Sequence, residues 1–275
     1  MAELVGGFIV SHDPMITGNP EIANKKQVAN VDAAFETISA RLKELEVDTV
    51  IVIGDDHYTM FGPHCLPQYL IGVGDLEGPE ENWLRIERYQ VENNAPLAEH
   101  IMNYGFANGF DWAIAKSLLL DHGTMIPIHK AITPVGGIRT IPIYLASAVT
   151  PIIPMRRAQQ LGDMIGDAVA AWDKDERVAI FGCGGISHWV GTAEMGKVNQ
   201  EFDGMVLNHV NNGDVEALIA LGDDYVLEHG GNGAWEIRNW ICAMAALKKV
   251  TGETICYEPM PTWITGIGFS ELKVA

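Results

Sequence analysis

Short runs of consecutive apolar residues alternate along this chain with longer segments in which apolar residues recur every three or four positions. The run Leu4–Val10 predicts a buried β-strand, and the apolar stripe from Val28 to Leu45 predicts a helix with one buried face. Asp48–Gly54 contains a run of β-branched residues, which is typical of a strand buried on both faces. Strand, helix and strand in this order predict a parallel pair. We therefore expect an α/β fold: a single domain with a mostly parallel central sheet flanked by helices.

The same alternation continues to the end of the chain. Further strands are expected at Leu66–Val73, Trp112–Ala115, Arg139–Ala146, Arg177–Phe181, Thr254–Tyr257 and Thr262–Phe269. Further helices are expected at Ala95–Tyr104, after Asp121-His122-Gly123 with Thr124 as a cap, from Ala158 to Trp172, and at Asn199–Val210, Val215–Leu221 and Trp235–Lys249. The polar, Pro- and Gly-containing segment Gly74–Asn94 predicts a long functional loop. Because the sequence shows no internal repeat or linker, we expect residues 1–275 to form one domain.

Charge and composition exclude several classes of function. The formal net charge is −18, whereas nucleic acids and anionic membranes are bound through clustered Lys and Arg. The sequence has neither the features of a signal peptide nor an apolar stretch near the ~18 residues of a membrane-spanning helix. The four cysteines, which have no CxxC spacing, fall mostly inside apolar runs: Cys65, Cys183, Cys242 and Cys256. Buried free thiols are therefore expected, which suits a reducing cytoplasm.

Two histidines follow two of the predicted strands, and a carboxylate lies far downstream. His12 comes just after Leu4–Val10, and His57 comes just after Asp48–Gly54. The carboxyl ends of parallel strands meet at one edge of the sheet, where α/β proteins bind ligands, so we expect both imidazoles there. Glu236 follows a glycine-rich turn at the start of a predicted helix. Two histidines and one carboxylate are the ligand set of facial-triad iron(II) sites, which leave positions on the metal open.

Each of these residues also has an ordinary structural interpretation. A histidine at a strand end can simply form a hydrogen bond, and an acidic residue favours the first turn of a helix because of the helix dipole. However, apolar neighbours crowd Glu236, and a buried carboxylate needs a partner or a cation. Beside His57, the carboxylates of Asp55 and Asp56 can orient the imidazole, as carboxylates do for ligating histidines. The combination of three residues, rather than any one of them, indicates a metal site.

Two further histidines are candidates for acid–base chemistry. His188 follows a strand and a glycine-rich turn, and His122 follows Asp121 at another strand–helix turn. Histidine titrates near neutral pH, so both can move protons to and from a phenolic substrate. The structural alternatives are a hydrogen bond within the turn for His188 and pairing with Asp121 for His122. Two other histidines have weaker support from their positions: His129 and His229.

Five motifs occur in order along the chain. They are Ser-His-Asp-Pro at 11–14, Gly-Asp-Asp-His-Tyr at 54–58, Asp-His-Gly at 121–123, Gly-Cys-Gly-Gly-Ile-Ser-His at 182–188 and Trp-Glu-Ile-Arg-Asn-Trp at 235–240. With compatible spacing from Gly7 to about Phe269, the chain resembles the class III extradiol ring-cleavage dioxygenases. Within this family it is similar to the enzymes that cleave protocatechuate or 2,3-dihydroxyphenylpropionate.

The resemblance implies a ligand set and a reaction. It makes His12, His57 and Glu236 the ligands of an Fe²⁺ cofactor. It also makes His188 the catalytic histidine and His122 a second histidine that faces the substrate. A catechol would chelate the iron, both atoms of O₂ would be inserted, and the ring would open beside its two hydroxyls. His188 would accept the phenolic proton, and His122 would assist proton transfer at the cleavage step.

The resemblance leaves the partner and the ring substituent open. The protocatechuate enzyme has a separate small α subunit over its site, and this chain has no segment matching it. Either such a subunit acts in trans, or residues 74–94 close the pocket and the chain forms a homo-oligomer. Arg85 and Arg88 are candidate anchors for a substrate carboxylate, or simply solvated charges. Three tryptophans are candidates for pocket walls or for core packing: Trp189, Trp235 and Trp240.

Two other functions are compatible with these residues. A non-catalytic binding protein can reuse the fold, and a zinc-dependent hydrolase can use the same two histidines and carboxylate. The presence of all three ligands and of both acid–base histidines favours the dioxygenase. We therefore predict Fe²⁺-dependent extradiol cleavage of a substituted catechol, such as protocatechuate or a related carboxylated catechol.

Overall fold

A nine-stranded mixed β-sheet organises the computed structural model, which describes residues 1–274. The strands are β1 (Glu3–Val10), β2 (Thr49–Gly54), β3 (Tyr69–Gly78), β4 (Tyr89–Val91), β5 (Ala113–Leu119), β6 (Arg139–Leu145), β7 (Arg177–Cys183), β8 (Val250–Met260) and β9 (Thr265–Val274). The helices are α1 (Met15–Gly18), α2 (Lys25–Glu44), α3 (Ala95–Ala107), α4 (His122–Pro127), α5 (Met155–Ala170), α6 (Gln200–Asn211), α7 (Val215–Gly230) and α8 (Ile237–Leu247). The predicted α/β fold is confirmed.

The four central strands run parallel in the order β6-β2-β7-β1, and β9 and β8 continue the sheet in antiparallel fashion. Every residue of β2 is buried, which suits its run of β-branched side chains. The parallel arrangement places the carboxyl ends of β1, β7 and β2 side by side at one edge of the sheet. This is the edge where the sequence places its candidate site.

The two faces of the sheet bury two hydrophobic cores. Ile51 and Ile53 of β2 face the core formed with α5 and α8, whereas Val50 and Val52 face the core formed with α2. The buried residues of α2 are those of the predicted apolar stripe: Val31, Ala34, Phe35, Ile38 and Leu42. None of the helices within residues 1–274 has both the length and the apolar character needed to cross a membrane.

The segment predicted to be one long loop, residues 74–94, is built into the sheet at 74–78 and 89–91 and remains a loop with a short 3₁₀ turn between them. β3 continues to Gly78, and its second half pairs with β4 on one side and with β5 on the other. A Cβ at Gly74 would lie 2.0 Å from the carbonyl oxygen of Lys116, so this close strand approach requires glycine. The prediction was wrong for the end of β3, because glycines and charges, which usually indicate a loop, occur here in a tight strand pairing.

Two element boundaries near the site also differ from the prediction. α7 extends past Leu221 to Gly230, across a break at Gly222, where φ is 73°. The helix expected to begin at Trp235 begins two residues later. Glu236 ends a separate 3₁₀ turn that starts at Gly233. The carboxylate therefore lies in a tight turn just ahead of α8 rather than inside it.

Two smaller expectations fail. Thr124 does not cap α4, because Asp121 occupies the N-cap position and the Thr124 hydroxyl donates to Tyr144 Oη at 2.8 Å. The four cysteines are free, as expected, but Cys65 is exposed and Cys256 is only partly buried. The prediction of buried thiols thus holds for the two cysteines in β7 and α8 alone.

Candidate metal centre

Three side chains that are far apart in the sequence meet at the carboxyl edge of the central strands. His12 lies two residues beyond β1, His57 lies three residues beyond β2, and Glu236 ends the turn that precedes α8. Ligand atoms of these residues and of Asp55 all lie within 4.8 Å of one another. The structure therefore brings together the three residues proposed from the sequence as metal ligands, and it adds one carboxylate.

The Glu236 carboxylate lies between the two imidazoles. Its Oε1 is 3.3 Å from His57 Nε2, and its Oε2 is 3.6 Å from His12 Nε2. The backbone N–H of Gly185 donates to Oε2 at 2.6 Å. A Cβ at Gly184, where φ is +152°, would lie 2.7 Å from the Glu236 Cβ, so the approach of this turn requires glycine. The glycine-rich turn after β7 thus fixes the carboxylate.

His57 is oriented by a carboxylate from a distant segment. Asp121 Oδ2 lies 3.0 Å from His57 Nδ1, so the N–H on Nδ1 donates to it and Nε2 faces Glu236. Burial alone would lower the pKa of His57, but the three surrounding carboxylates raise that pKa well above its usual value. Asp56, proposed from the sequence for this orienting role, instead accepts three backbone N–H groups of the following turn.

His12 has no hydrogen-bond partner. Its side chain is buried, yet neither ring nitrogen is hydrogen-bonded to any atom of residues 1–274, and the 3.6 Å to Glu236 is too long. Burial lowers the pKa of His12 in spite of the attraction of Glu236, which favours the neutral imidazole. Oδ2 of Asp55 is likewise without a partner, although Oδ1 accepts an N–H of Asn239 at 2.9 Å. Buried polar atoms without partners are costly, so this cluster is incomplete as it stands.

These donors fit a divalent transition metal. Burial would raise the pKa of Glu236, but the neighbouring histidines hold that pKa well below its usual value, so the group is a charged carboxylate. Nitrogen and carboxylate donors suit Fe²⁺, Mn²⁺ or Zn²⁺ better than Ca²⁺ or Mg²⁺, which prefer oxygen alone. Within residues 1–274, Glu236 and its neighbours Asp55 and Asp121 form ion pairs with histidines but not with Lys or Arg. A bound cation would supply the missing fixed positive charge and displace the proton on His57.

The two predicted acid–base histidines lie beside this cluster. His188 Nε2 is 3.7 Å from Glu236 Oε1, and the N–H on its Nδ1 donates to the Ile186 carbonyl at 3.1 Å. The imidazole of His122 lies against that of His57, with ring centroids 4.1 Å apart. All five predicted site residues are thus gathered in one place. Their chemical roles stay a prediction.

The partner of His122 is Glu81 rather than Asp121. Glu81 Oε1 is 2.6 Å from His122 Nδ1, and its Oε2 is buried without a partner among the described residues. Glu81 belongs to the segment between β3 and β4 that the sequence predicted to be a loop. Neither this pair nor the Asp121–His57 pair was predicted from the sequence, because their members lie 41 and 64 positions apart, respectively. The one available signal was the presence of acidic residues in segments that reach the same sheet edge.

A cavity of about 310 Å³ leads to the cluster. Its polar end is formed by the five site residues. Beyond them the wall is mainly apolar: Pro14, Met15, Val190, Met195, Trp263 and Ile264. A second cavity, of about 210 Å³, reaches the same cluster from the side of Tyr58 and Val149. The volume and lining of the larger cavity are typical of sites for small organic molecules.

The tryptophan that lines this cavity is Trp263, which the sequence did not single out. The three predicted wall residues lie elsewhere. Trp240 is fully buried in the core, and Trp235 donates its indole N–H to a backbone carbonyl of α7. Trp189 carries the ammonium group of Lys197 over its ring, at 4.4 Å. Trp263 follows β8 in a 3₁₀ turn, where its position in the sequence gives no sign of the site.

The predicted carboxylate anchors also lie outside the cavity lining. Arg85 forms a bidentate ion pair with Glu21, at 2.7 and 3.0 Å, and Arg88 pairs with Glu80 at 2.9 Å. Both arginines therefore form ion pairs on the surface, which agrees with the alternative that they are solvated charges rather than substrate anchors. Two histidines with weaker sequence support also lie away from the cavity lining: His129 and His229.

Comparison with known proteins identifies the family. Residues 6–268 match the family described as the catalytic LigB subunit of aromatic ring-opening dioxygenase. A relative from Rhodococcus jostii (strain RHA1) is 25% identical, with 95% of this chain and 96% of the relative covered. A relative from Rhodococcus sp. is 26% identical over the same shares of the two chains. Both are named 2,3-dihydroxyphenylpropionate/2,3-dihydroxicinnamic acid 1,2-dioxygenase.

A solved structure supports the fold. The crystal structure of an uncharacterized protein from Escherichia coli K12 superposes with a TM-score of 0.59 and 11% identity, covering 88% of this chain and 91% of that one. The family match confirms the resemblance that the five motifs indicated. The chain belongs to the family of catalytic LigB subunits of aromatic ring-opening dioxygenases, and it is an enzyme of that class.

Proposed function

We propose that this chain catalyses the Fe²⁺-dependent extradiol cleavage of a substituted catechol, within one catalytic domain spanning residues 1–275. The observation that carries the proposal is the convergence of His12, His57 and Glu236, with unpartnered buried nitrogen atoms, at the polar end of a cavity sized for an aromatic ring. The relatives' names support a catechol as substrate. The carboxylated catechols in those names are 2,3-dihydroxyphenylpropionate and 2,3-dihydroxicinnamic acid rather than protocatechuate.

His12, His57 and Glu236 would hold the iron. The Asp121 carboxylate fixes His57 with Nε2 towards Glu236, and the Gly185 N–H fixes the carboxylate itself. A bound iron would supply Lewis-acid and redox chemistry to the catechol and O₂, because three protein ligands would leave coordination positions open.

His188 and His122 are suited to move protons in this site. The Nδ1–H of His188 donates a hydrogen bond to the Ile186 carbonyl, so Nε2 is the atom that would accept the phenolic proton as the catechol binds. The Nδ1–H of His122 donates a hydrogen bond to Glu81, so Nε2 is the atom that would assist proton transfer when the ring opens. The apolar wall around Trp263 would limit the access of water to the ring.

The test is oxygen consumption. The protein is loaded with Fe²⁺ under argon, its iron content is measured, and a panel of catechols is then mixed with it in air. We expect O₂ uptake with a yellow ring-opened product. The matched pair of variants is His12→Ala, which should show neither, and His64→Ala, which removes an exposed histidine outside the cavity lining and should show both. Confirmed iron without O₂ uptake on any catechol would contradict the proposal.

The same donors also accept Zn²⁺, which makes a zinc-dependent hydrolase the second candidate. Metal analysis of protein purified without added metal separates the two. Iron supports the dioxygenase, whereas zinc together with hydrolytic turnover would replace it. A protein that binds catechols but consumes no O₂ would be the binding protein considered from the sequence.

Two further proposals concern the surroundings of the enzyme. Val190 and Met195 at the cavity are about half exposed, at 48% and 58%, which supports cover from a small subunit or a second copy of the chain. Free thiols at all four cysteines support the cytoplasm as the location. The mass of the native particle, measured with and without a co-expressed small subunit, tests the first of these.

A further inference from the structure

Beyond the metal cluster, the cavity presents apolar surface to whatever part of the substrate projects from its ring. Met15, Val190 and Met195 line one part of it, and Trp263 and Ile264 line another. Thioether and aliphatic side chains adapt their shape to apolar groups and offer no strong hydrogen bonds. This wall therefore suits an alkyl or aryl substituent.

Away from the histidines at its metal end, the same lining offers no cation to a carboxylate. Within residues 1–274, the residues that line the cavity include neither Lys nor Arg, and they include the carboxylate of Asp13. Lys197, two positions after Met195, is paired with Glu194 at 2.6 Å. Arg85 and Arg88 are held by Glu21 and Glu80 on the surface. The chain as a whole has a net charge of −18, which repels anions at long range.

A carboxylated ring would therefore place its anion in apolar surroundings. The donors left to it are neutral, such as the buried indole N–H of Trp263, which has no hydrogen-bond partner among the described residues. A neutral donor does not replace the counter-ion that a buried carboxylate needs. Discrimination in such a site comes as much from rejecting the wrong group as from fitting the right one.

We infer that the substrate of this enzyme is a catechol whose ring substituent is uncharged and apolar, seated against Met15, Val190, Met195 and Trp263. The inference rests on the proposed function and departs from the carboxylated substrates named for the relatives. It makes these wall residues the specificity-determining part of the site.

Two matched pairs of catechols test this inference at both ring positions. They are 3-propylcatechol against 2,3-dihydroxyphenylpropionate, and 4-methylcatechol against protocatechuate. Binding to the Fe²⁺-loaded protein is measured by calorimetry under argon, and kcat/KM for O₂ uptake is measured in air. We expect the uncharged member of at least one pair to bind about tenfold more tightly or better, and to have the higher kcat/KM. Equal or tighter binding of the carboxylated member in both pairs would overturn the inference.

A pair of variants sharpens the test. Met195→Arg adds a cation to the wall, and we expect it to shift the binding ratio towards the carboxylated member by about threefold to fivefold, whereas Met195→Gln should leave the ratio unchanged. Equal shifts in both variants would contradict the placement of the substituent. Preferred turnover of carboxylated catechols would overturn this inference and leave the proposed function standing. Selective binding of the uncharged members without O₂ uptake would support this inference and contradict the proposed function.

Discussion

Two buried carboxylates lie at opposite ends of the same central strands, and the protein treats them differently. Glu176 lies just before β7, at the amino edge of the sheet, and its Oε1 accepts hydrogen bonds from three side chains: Thr49, Asn94 and Arg139. The last of these is a guanidinium N–H at 2.7 Å. Thr49 and Arg139 begin adjacent parallel strands, so the sheet itself brings these partners together. The hydrogen bonds that this buried carboxylate needs thus all come from side chains of the protein.

Glu236, at the carboxyl edge, is not completed in this way. It accepts one backbone N–H from Gly185, and its other neighbours are histidines. His12 beside it has two buried nitrogens without partners, and Asp55 has one such oxygen. Burial of a carboxylate therefore does not by itself indicate a functional site. What indicates the functional site here is a buried polar group that lacks a hydrogen-bond partner within the protein and so needs one from a ligand.

The largest effect expected from this difference is that of His12→Ala. Removing one imidazole from an incomplete cluster should abolish iron retention and ring cleavage together, because two protein ligands hold the ion too weakly. Iron content by elemental analysis and O₂ uptake are the measurements. A His12→Ala protein that kept its iron and its turnover would remove the distinction between the two carboxylates.

The next largest effect separates proton transfer from metal binding within the same edge. His188→Ala should keep the iron but lower kcat by ~10²–10⁴-fold, the usual cost of losing a general acid–base group. Iron content and single-turnover kinetics measure the two quantities separately. Normal turnover in this variant would show that the phenolic proton leaves by another route, and loss of the iron would make His188 a ligand.

At the opposite edge, Glu176→Ala should change stability and leave the metal in place. It leaves Thr49, Asn94 and Arg139 without their acceptor, and we expect the free energy of unfolding to fall by about 3 kcal/mol, since Arg139 is partly exposed. Urea unfolding followed by circular dichroism measures this change. Glu176→Gln keeps an acceptor oxygen and should recover most of the loss. Reduced iron content in folded Glu176→Ala protein would contradict the separation of the two edges.

The contrast between the two edges also shows what the sequence could and could not predict. Periodicity predicted β1, β2, α2 and their parallel packing, because apolar runs and stripes follow directly from which faces are buried. It also placed His12 and His57 at one edge, since each follows a strand of the parallel group. Glu236 joined them as the carboxylate of a two-histidine, one-carboxylate ligand set, which the family resemblance also implied, and the structure places its carboxylate within reach of both.

The remaining features depend on tertiary contacts that no local pattern encodes. The second half of β3 has the glycines and charges of a loop, and its strand pairing with β5 overrides them. Pairing of Asp121 with its neighbour His122 was the structural alternative considered for that histidine, but Asp121 contacts His57, which lies 64 positions away. Likewise Trp263 lines the cavity, whereas Trp240, four positions after Glu236 in the sequence, is buried in the core.

The smallest predicted effect concerns the orientation of His57. Asp121→Asn keeps the shape of the side chain and weakens the charge that supports the imidazole, so we expect iron affinity to fall about tenfold. Asp121→Ala removes the contact and should cost up to about 100-fold. Competition with a fluorescent chelator under argon measures both. The matched control is Glu81→Gln, which alters the partner of His122 and should slow turnover without changing iron affinity. If Asp121→Ala bound iron as tightly as the unchanged protein, His57 would be positioned by the sheet edge alone. The carboxyl edge would then need no supporting carboxylate.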